Sequence, residues 1–152
     1  MSAAYLNRIA TAVPDNDVHD AFIDYAETLL PDPRLRKLFR RMADRSQIEH
    51  RWSSILPAPA GSNAGLDVDG FYCRGAFPST AERMRRYETD APGLALKAAG
   101  GLGLTDRERQ AVSHVVVTSC TGFSAPGLDL QIVEGLGLKP SEIGRASCRE
   151  RV

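Results

Sequence analysis

The chain has 152 residues, 43% of them hydrophobic and 25% charged, a balance that suits one soluble globular domain. Nineteen Lys/Arg offset nineteen Asp/Glu, so net charge supplies no drive toward nucleic acid or an acidic membrane. No apolar stretch approaches the ~20 residues of a membrane span, and MSAAYLNRIA at the N-terminus lacks the apolar run of a secretory leader.

Residues 5–13 (YLNRIATAV) suit a short strand stopped by Pro14. A helix is predicted from PDNDVHDAF onward. Asp15, Asn16 or Asp17 can cap it, and Val18, Ala21, Phe22, Tyr25, Ala26 and Leu29 recur at helical spacing. LLPDP breaks it. A second helix is predicted over 34–44, with Leu35, Leu38, Phe39 and Met42 as its apolar face. It opens a basic region: seven Lys/Arg lie between Arg34 and Arg51, against Asp44 and Glu49. Residues 46–52 (SQIEHRW) suit a short strand. Residues 57–79 are rich in Pro, Gly, Ser and Asn, a long loop of the kind that is usually functional or mobile.

PSTAERM reads as a helix start, with Ser79 or Thr80 as cap and Glu82 near the position that closes a capping box. DAPGLALKAAGGLGL reads as a second helical piece, with Pro92 near its first turn and Gly100–Gly101 at its end. LTDRERQAV is a short helix capped by Thr105. HVVVT (114–118) is continuously apolar and β-branched, as in a parallel strand buried on both faces. TGFSAPG is turn chemistry, and LDLQIVEGLGL gives a helix with Leu128, Ile132, Val133 and Leu136 inward. Strand, turn and helix joined by short links point to an α/β layered design.

Three cysteines stand far apart, at Cys73, Cys120 and Cys148, with no CxxC pair and no Cys/His cluster at zinc-like spacing. Their odd number suits reduced thiols in a cytosol, and no metal is expected. Cys120 lies between a strand end and a helix start, whose partial positive charge favours a thiolate. Its residues alone leave three roles open: nucleophile, pocket wall, or small core residue. Cys73 reads as a bystander. His19, His50 and His114 sit in no motif with an acid or thiol. Arg41 and Arg45 are four apart and share one side of a helix, where paired guanidinium groups can fork onto phosphates. Arg40 and Lys37 are expected to face solvent.

The segment HVVVTSCTGFSAPGLDLQIVEGLGLKP closely resembles the N-terminal half of type III polyketide synthases, the chalcone synthase-like enzymes of the thiolase superfamily, and bacterial members above all. RIATAVPDNDVHDAF, FRRMADRSQIEHRW and GFYCRGAFPSTAERMRRYETDAP resemble the same family in the same order, over about residues 5–140. The resemblance implies a thiolase-like α/β fold with α-β-α-β-α layers, here its N-terminal part only and incomplete. It implies an acyltransferase, of the class that transfers groups other than aminoacyl groups. Such an enzyme loads an acyl-CoA starter onto a cysteine and extends it with malonyl-CoA, without metal or added cofactor. A cytoplasmic homodimer is the expected form of the full-length enzyme.

By the same resemblance, Cys120, Thr121 and Ala125 line the acyl pocket, and Ala125 stands where plant members often carry Met. Arg41 and Arg45 stand where the family contacts CoA phosphates, and a third family cation falls at Leu38. The nucleophilic Cys and its His and Asn partners are expected beyond the end of this chain, so the chain itself is expected to be inactive. Cys148 lies between Ser147 and Arg149 and does not fit the nucleophile's apolar, Gly-rich setting. Residues 1–141 read as the N-terminal part of the family domain. Residues 142–152 read as a foreign or read-through tail, because SEIGRASCRERV carries three Arg and two Glu and no apolar run for a buried strand. Two rivals are a fragment of another thiolase-fold ketosynthase and a basic-helix nucleic-acid module. The sparse aromatics of the basic run (Phe39, Trp52) and the zero net charge oppose the second.

Overall fold

A computed structural model of the protein describes residues 3–59, 65–120, 122–139 and the backbone of 144–148. The chain forms two compact units: Val13–Ser79, and Met1–Ala12 together with Thr80–Val152.

In the unit Val13–Ser79, strand β1 (Asn16–Asp17) pairs antiparallel with β2 (Trp52–Ser53), Asn16 opposite Ser53 and Asp17 opposite Trp52. Of the strand expected over 46–52, only Trp52 lies in a ladder. Helix α1 (His19–Thr28) follows β1. Its cap position is Val18, without a side-chain cap, because the Asp17 carboxylate is shared. That carboxylate accepts from the backbone N–H of His19 and of Arg51, both at 3.0 Å, and meets His50 Nδ1 at 2.6 Å.

Helix α2 (Pro33–Arg45) starts as its sequence dictates. Asp32 accepts from the Arg34 N–H at 2.7 Å, and Pro33 at the first position has no N–H to leave unpaired. Its orientation corrects the sequence expectation. Leu35, Leu38 and Met42 are exposed, whereas Arg40 turns to α1 and binds Asp24 at 2.9 Å and Glu27 at 2.5 Å. Two carboxylates on α1 thus override the apolar stripe of α2. The described parts of the 57–79 segment, 57–59 and 65–79, are irregular, as expected, and Asp67 orders the second of them. Asp67 is fully buried and accepts from the N–H groups of Phe71 at 2.7 Å and Tyr72 at 2.8 Å.

In the other unit, the expected strand over residues 5–13 is absent: no ladder partner meets it among the described residues, and Tyr5, Leu6 and Ile9 are exposed. Arg8 ties the segment down, donating to the carbonyls of Leu102 (3.1 Å) and Gly103 (3.0 Å) and pairing with Glu108 at 2.6 Å. Helix α3 (Thr80–Gly100) is one continuous helix, where two pieces were expected. Pro92 lies inside it and cannot donate to the Glu88 carbonyl. The ion pair Arg86–Asp90, at 2.6 Å, spans the turn before the proline. Helix α4 (Asp106–Gln110) carries the full Thr105/Glu108 capping box.

Strand β3 (His114–Thr118) and strand β4 (Gly144–Cys148) run parallel, from His114 opposite Gly144 to Thr118 opposite Cys148. Helix α5 (Leu128–Gly135) links them, which makes a βαβ unit. Two expectations are corrected. The face of β3 alternates instead of being buried on both sides, with Val116 66% exposed. And 144–148 forms a strand despite its polar sequence, since ladder bonds use backbone groups alone. The core of this unit is Val133 (1% exposed) and Leu138, with Val112, Val115 and Leu136 packed on them. Gly135 lets α5 approach α3, because a Cβ there would meet the tip of Leu96.

Candidate functional site

The cations of α2 fall into two groups. Arg36 is held by the carbonyls of Leu30 (2.8 Å) and Pro31 (3.1 Å), and Arg40 by Asp24 and Glu27, a pairing that pushes its already high pKa up further. Arg40 is therefore paired within the unit, and its side chain, 44% exposed, still faces solvent in part, as expected. Arg41 and Arg45 are exposed one turn apart, and no acid pairs with either among the described residues. Two uncompensated guanidinium groups on one stripe can fork onto the oxygens of a polyphosphate.

The second candidate region is the turn between β3 and α5. Cys120 is exposed at the end of β3, which sets aside the core-residue role. Thr121 lies outside the described residues. Gly122 donates to Ser119 Oγ at 3.4 Å, and a Cβ on it would fall into the Tyr87 ring, so only glycine fits beneath that ring. Buried Ser124 donates to the Pro126 carbonyl at 3.1 Å, and Gln131 Nε2 donates to the same oxygen at 3.1 Å. The Ala125–Pro126 peptide is cis, and Ala125 is exposed. Cys120 and Ala125 are thus presented by one hydrogen-bonded turn. Arg41 and Arg45 belong to the other unit.

Each histidine has a partner among the described residues. Arg51 donates to His19 Nδ1, His50 pairs with Asp17, and His114 Nδ1 lies 3.0 Å from Ser113 Oγ. Hydrogen bonding to His50 first, then to the Arg51 and His19 amides, lowers the Asp17 pKa from 3.8 to about 2. The same bond raises His50. Sequence reasoning missed this pair because its members are 33 residues apart. It also missed Asp67, Gly122, Ser124 and Gln131; the turn wording alone could have flagged Gly122.

The Val13–Ser79 unit also contains an apolar cavity of about 480 Å3, walled by Phe22, Tyr25, Trp52, Leu66, Tyr72 and Phe77 among others. None of its lining side chains is charged. The Tyr25 hydroxyl is shielded from solvent and lacks a partner among the described residues, and burial raises its pKa. Among the described residues, no cluster of His, Cys, Asp and Glu could hold a metal ion, and no helix is long and apolar enough to cross a membrane.

No protein-family model matches the chain. Solved structures do. The chain is 21% identical to CsyB complexed with CoA-SH, covering 93% of itself and 35% of that chain at a TM-score of 0.70. It is 24% identical to PKS-I from the brown alga Ectocarpus siliculosus, covering 93% of itself and 38% of that chain at a TM-score of 0.68. It is 20% identical to a type III pentaketide synthase from Neurospora crassa, with coverages of 93% and 35% and a TM-score of 0.66. The fold is therefore the mixed α/β, thiolase-like fold of type III polyketide synthases. The chain spans about a third of the length of these structures.

Proposed function

We propose that the chain is the N-terminal part of a type III polyketide synthase related to bacterial members. Such an enzyme condenses an acyl-CoA starter with malonyl-CoA through a cysteine thioester. The observation that carries this reading is the pair Arg41 and Arg45, exposed and without an acid partner among the described residues, on α2 of a fold shared with CsyB, which was crystallised with CoA-SH. In this reading the two guanidinium groups grip CoA phosphates. Cys120, Thr121 and Ala125 border the acyl chamber, and the small Ala125 side chain leaves room for the growing product. No added cofactor takes part; CoA thioesters are the substrates.

None of the 152 residues is proposed as nucleophile. The chain is accordingly inactive as a synthase. The full-length enzyme is a cytoplasmic homodimer, and residues 142–152 are a foreign or read-through tail that the source gene lacks.

Two measurements test the reading. Incubation of the purified chain with acyl-CoA and radiolabelled malonyl-CoA is expected to yield no labelled polyketide; labelled product would overturn the inactivity. Equilibrium binding at low salt is expected to detect CoA, and the double variant Arg41→Ala/Arg45→Ala should weaken it at least about tenfold, the scale of losing two charge-assisted contacts. Unchanged binding in that variant would sink the assignment.

A further inference from the structure

The cation stripe of α2 extends further than the pair already described. Arg34 lies seven residues before Arg41 and eleven before Arg45, so all three return to one face of the helix. Only Leu38 interrupts the stripe between Arg34 and Arg41, and it is 51% exposed. Arg34 is itself exposed. Its backbone N–H is held by Asp32, but no acid pairs with its guanidinium among the described residues. Arg36 and Arg40 face elsewhere and are occupied by carbonyls and carboxylates. Helix α2 thus sorts its cations by face: one face is compensated internally and the other is left open to an external anion.

The spacing says what kind of anion. Arg41 and Arg45 stand ~6 Å apart along the axis, and Arg34 stands ~10 Å before Arg41. This suits one ligand with two separate phosphate groups. CoA has that chemistry, with a 5′-diphosphate and a 3′-phosphate on opposite sides of its ribose. We infer that Arg34 binds the 3′-phosphate of CoA while Arg41 and Arg45 hold the diphosphate. Arg34 is then the residue that distinguishes CoA from dephospho-CoA. The inference rests on the CoA reading above and assigns a further contact within it.

The test compares CoA with dephospho-CoA, which lacks only the 3′-phosphate, by equilibrium titration of the 152-residue chain at low salt. The unmodified chain is expected to prefer CoA about tenfold, the worth of one charge-assisted phosphate contact. Arg34→Ala should bind both ligands equally, at the level of dephospho-CoA. Arg34→Lys should keep most of the preference, because a point charge still meets the phosphate. Arg41→Ala should weaken both ligands alike. An Arg34→Ala chain that still prefers CoA, with circular dichroism unchanged, overturns the inference and leaves the CoA reading standing. A chain that binds neither ligand, or binds both equally well without Arg41 and Arg45, overturns both.

Discussion

The two units of this chain are held together by different means. In Val13–Ser79, polar connections join segments around the buried side chains of Val18, Ile23, Ile55, Ala58 and Leu66. Asp17 reaches His50 and Arg51, Arg40 reaches Asp24 and Glu27, and Asp67 gathers the turn at Phe71 and Tyr72. In the unit containing Thr80–Val152, the connections follow apolar periodicity and local capping. Val133 and Leu138 close α5 over β3, and Thr105 with Glu108 starts α4. Carboxylates reinforce a buried apolar set in the first unit, while in the second the ion pairs Arg8–Glu108 and Arg86–Asp90 stand beside the Val133–Leu138 core. The first unit is also the one whose helix α2 carries cations that no acid pairs with among the described residues.

The largest expected effect breaks the polar side of this contrast. Asp67→Ala would leave two inward N–H groups without their acceptor and should cost about 3 kcal/mol. Urea melts would read it as a lower midpoint, and Asp67→Asn should recover much of the loss because its carbonyl oxygen still accepts. An unchanged Asp67→Ala melt would remove Asp67 as organiser of the loop. Next, Val133→Ala should cost about 2 kcal/mol through lost burial in the apolar unit. A loss below ~0.5 kcal/mol would mean that Val133 is not at a packed core. Smaller again, Thr105→Ala should cost about 1 kcal/mol by uncapping α4, with Thr105→Ser close to neutral.

The subtlest effect is the pH response of the Asp17–His50 pair. Asp17 has a depressed folded pKa, so its contribution is complete above 3.8 and fades as pH falls toward 2. His50 has a raised folded pKa, so its contribution is complete below 6.5 and fades as pH rises through the folded value. The stability difference between the unmodified chain and His50→Gln should therefore peak between these limits, from about pH 4 to 6.5. A difference that stays flat from pH 3 to 9, as read by thermal melts across that interval, contradicts the pairing.

The same contrast decides how much the sequence reveals. The periodic pieces are legible. Val133 falls inward on α5 as its spacing predicts, Thr105 caps α4, and α2 begins where Asp32–Pro33 places it. The α/β class and the strand–turn–helix around Cys120 follow from local pattern. What spacing cannot reveal is pairing between distant polar residues. Asp17 looks like a helix cap because the partner that claims it, His50, is 33 residues away. The face of α2 is hidden from spacing for the same reason: Leu35, Leu38 and Met42 form a plausible stripe, yet Asp24 and Glu27 select the Arg40 side. Pro92 looks like a helix start because propensity ignores the Arg86–Asp90 bridge just before it. Arg41 and Arg45 are legible as a pair, but the lack of an acid partner among the described residues is not, since it depends on where the carboxylates lie.

The sorting of cations on α2 is the centre of the account, and it can be observed directly. A titration of CoA followed by NMR of the arginine Nε–Hε resonances would read each guanidinium separately. Saturable shifts at Arg41 and Arg45, with Arg36 and Arg40 nearly still, are the predicted outcome. Shifts confined to Arg36 and Arg40, or none at all, would contradict it.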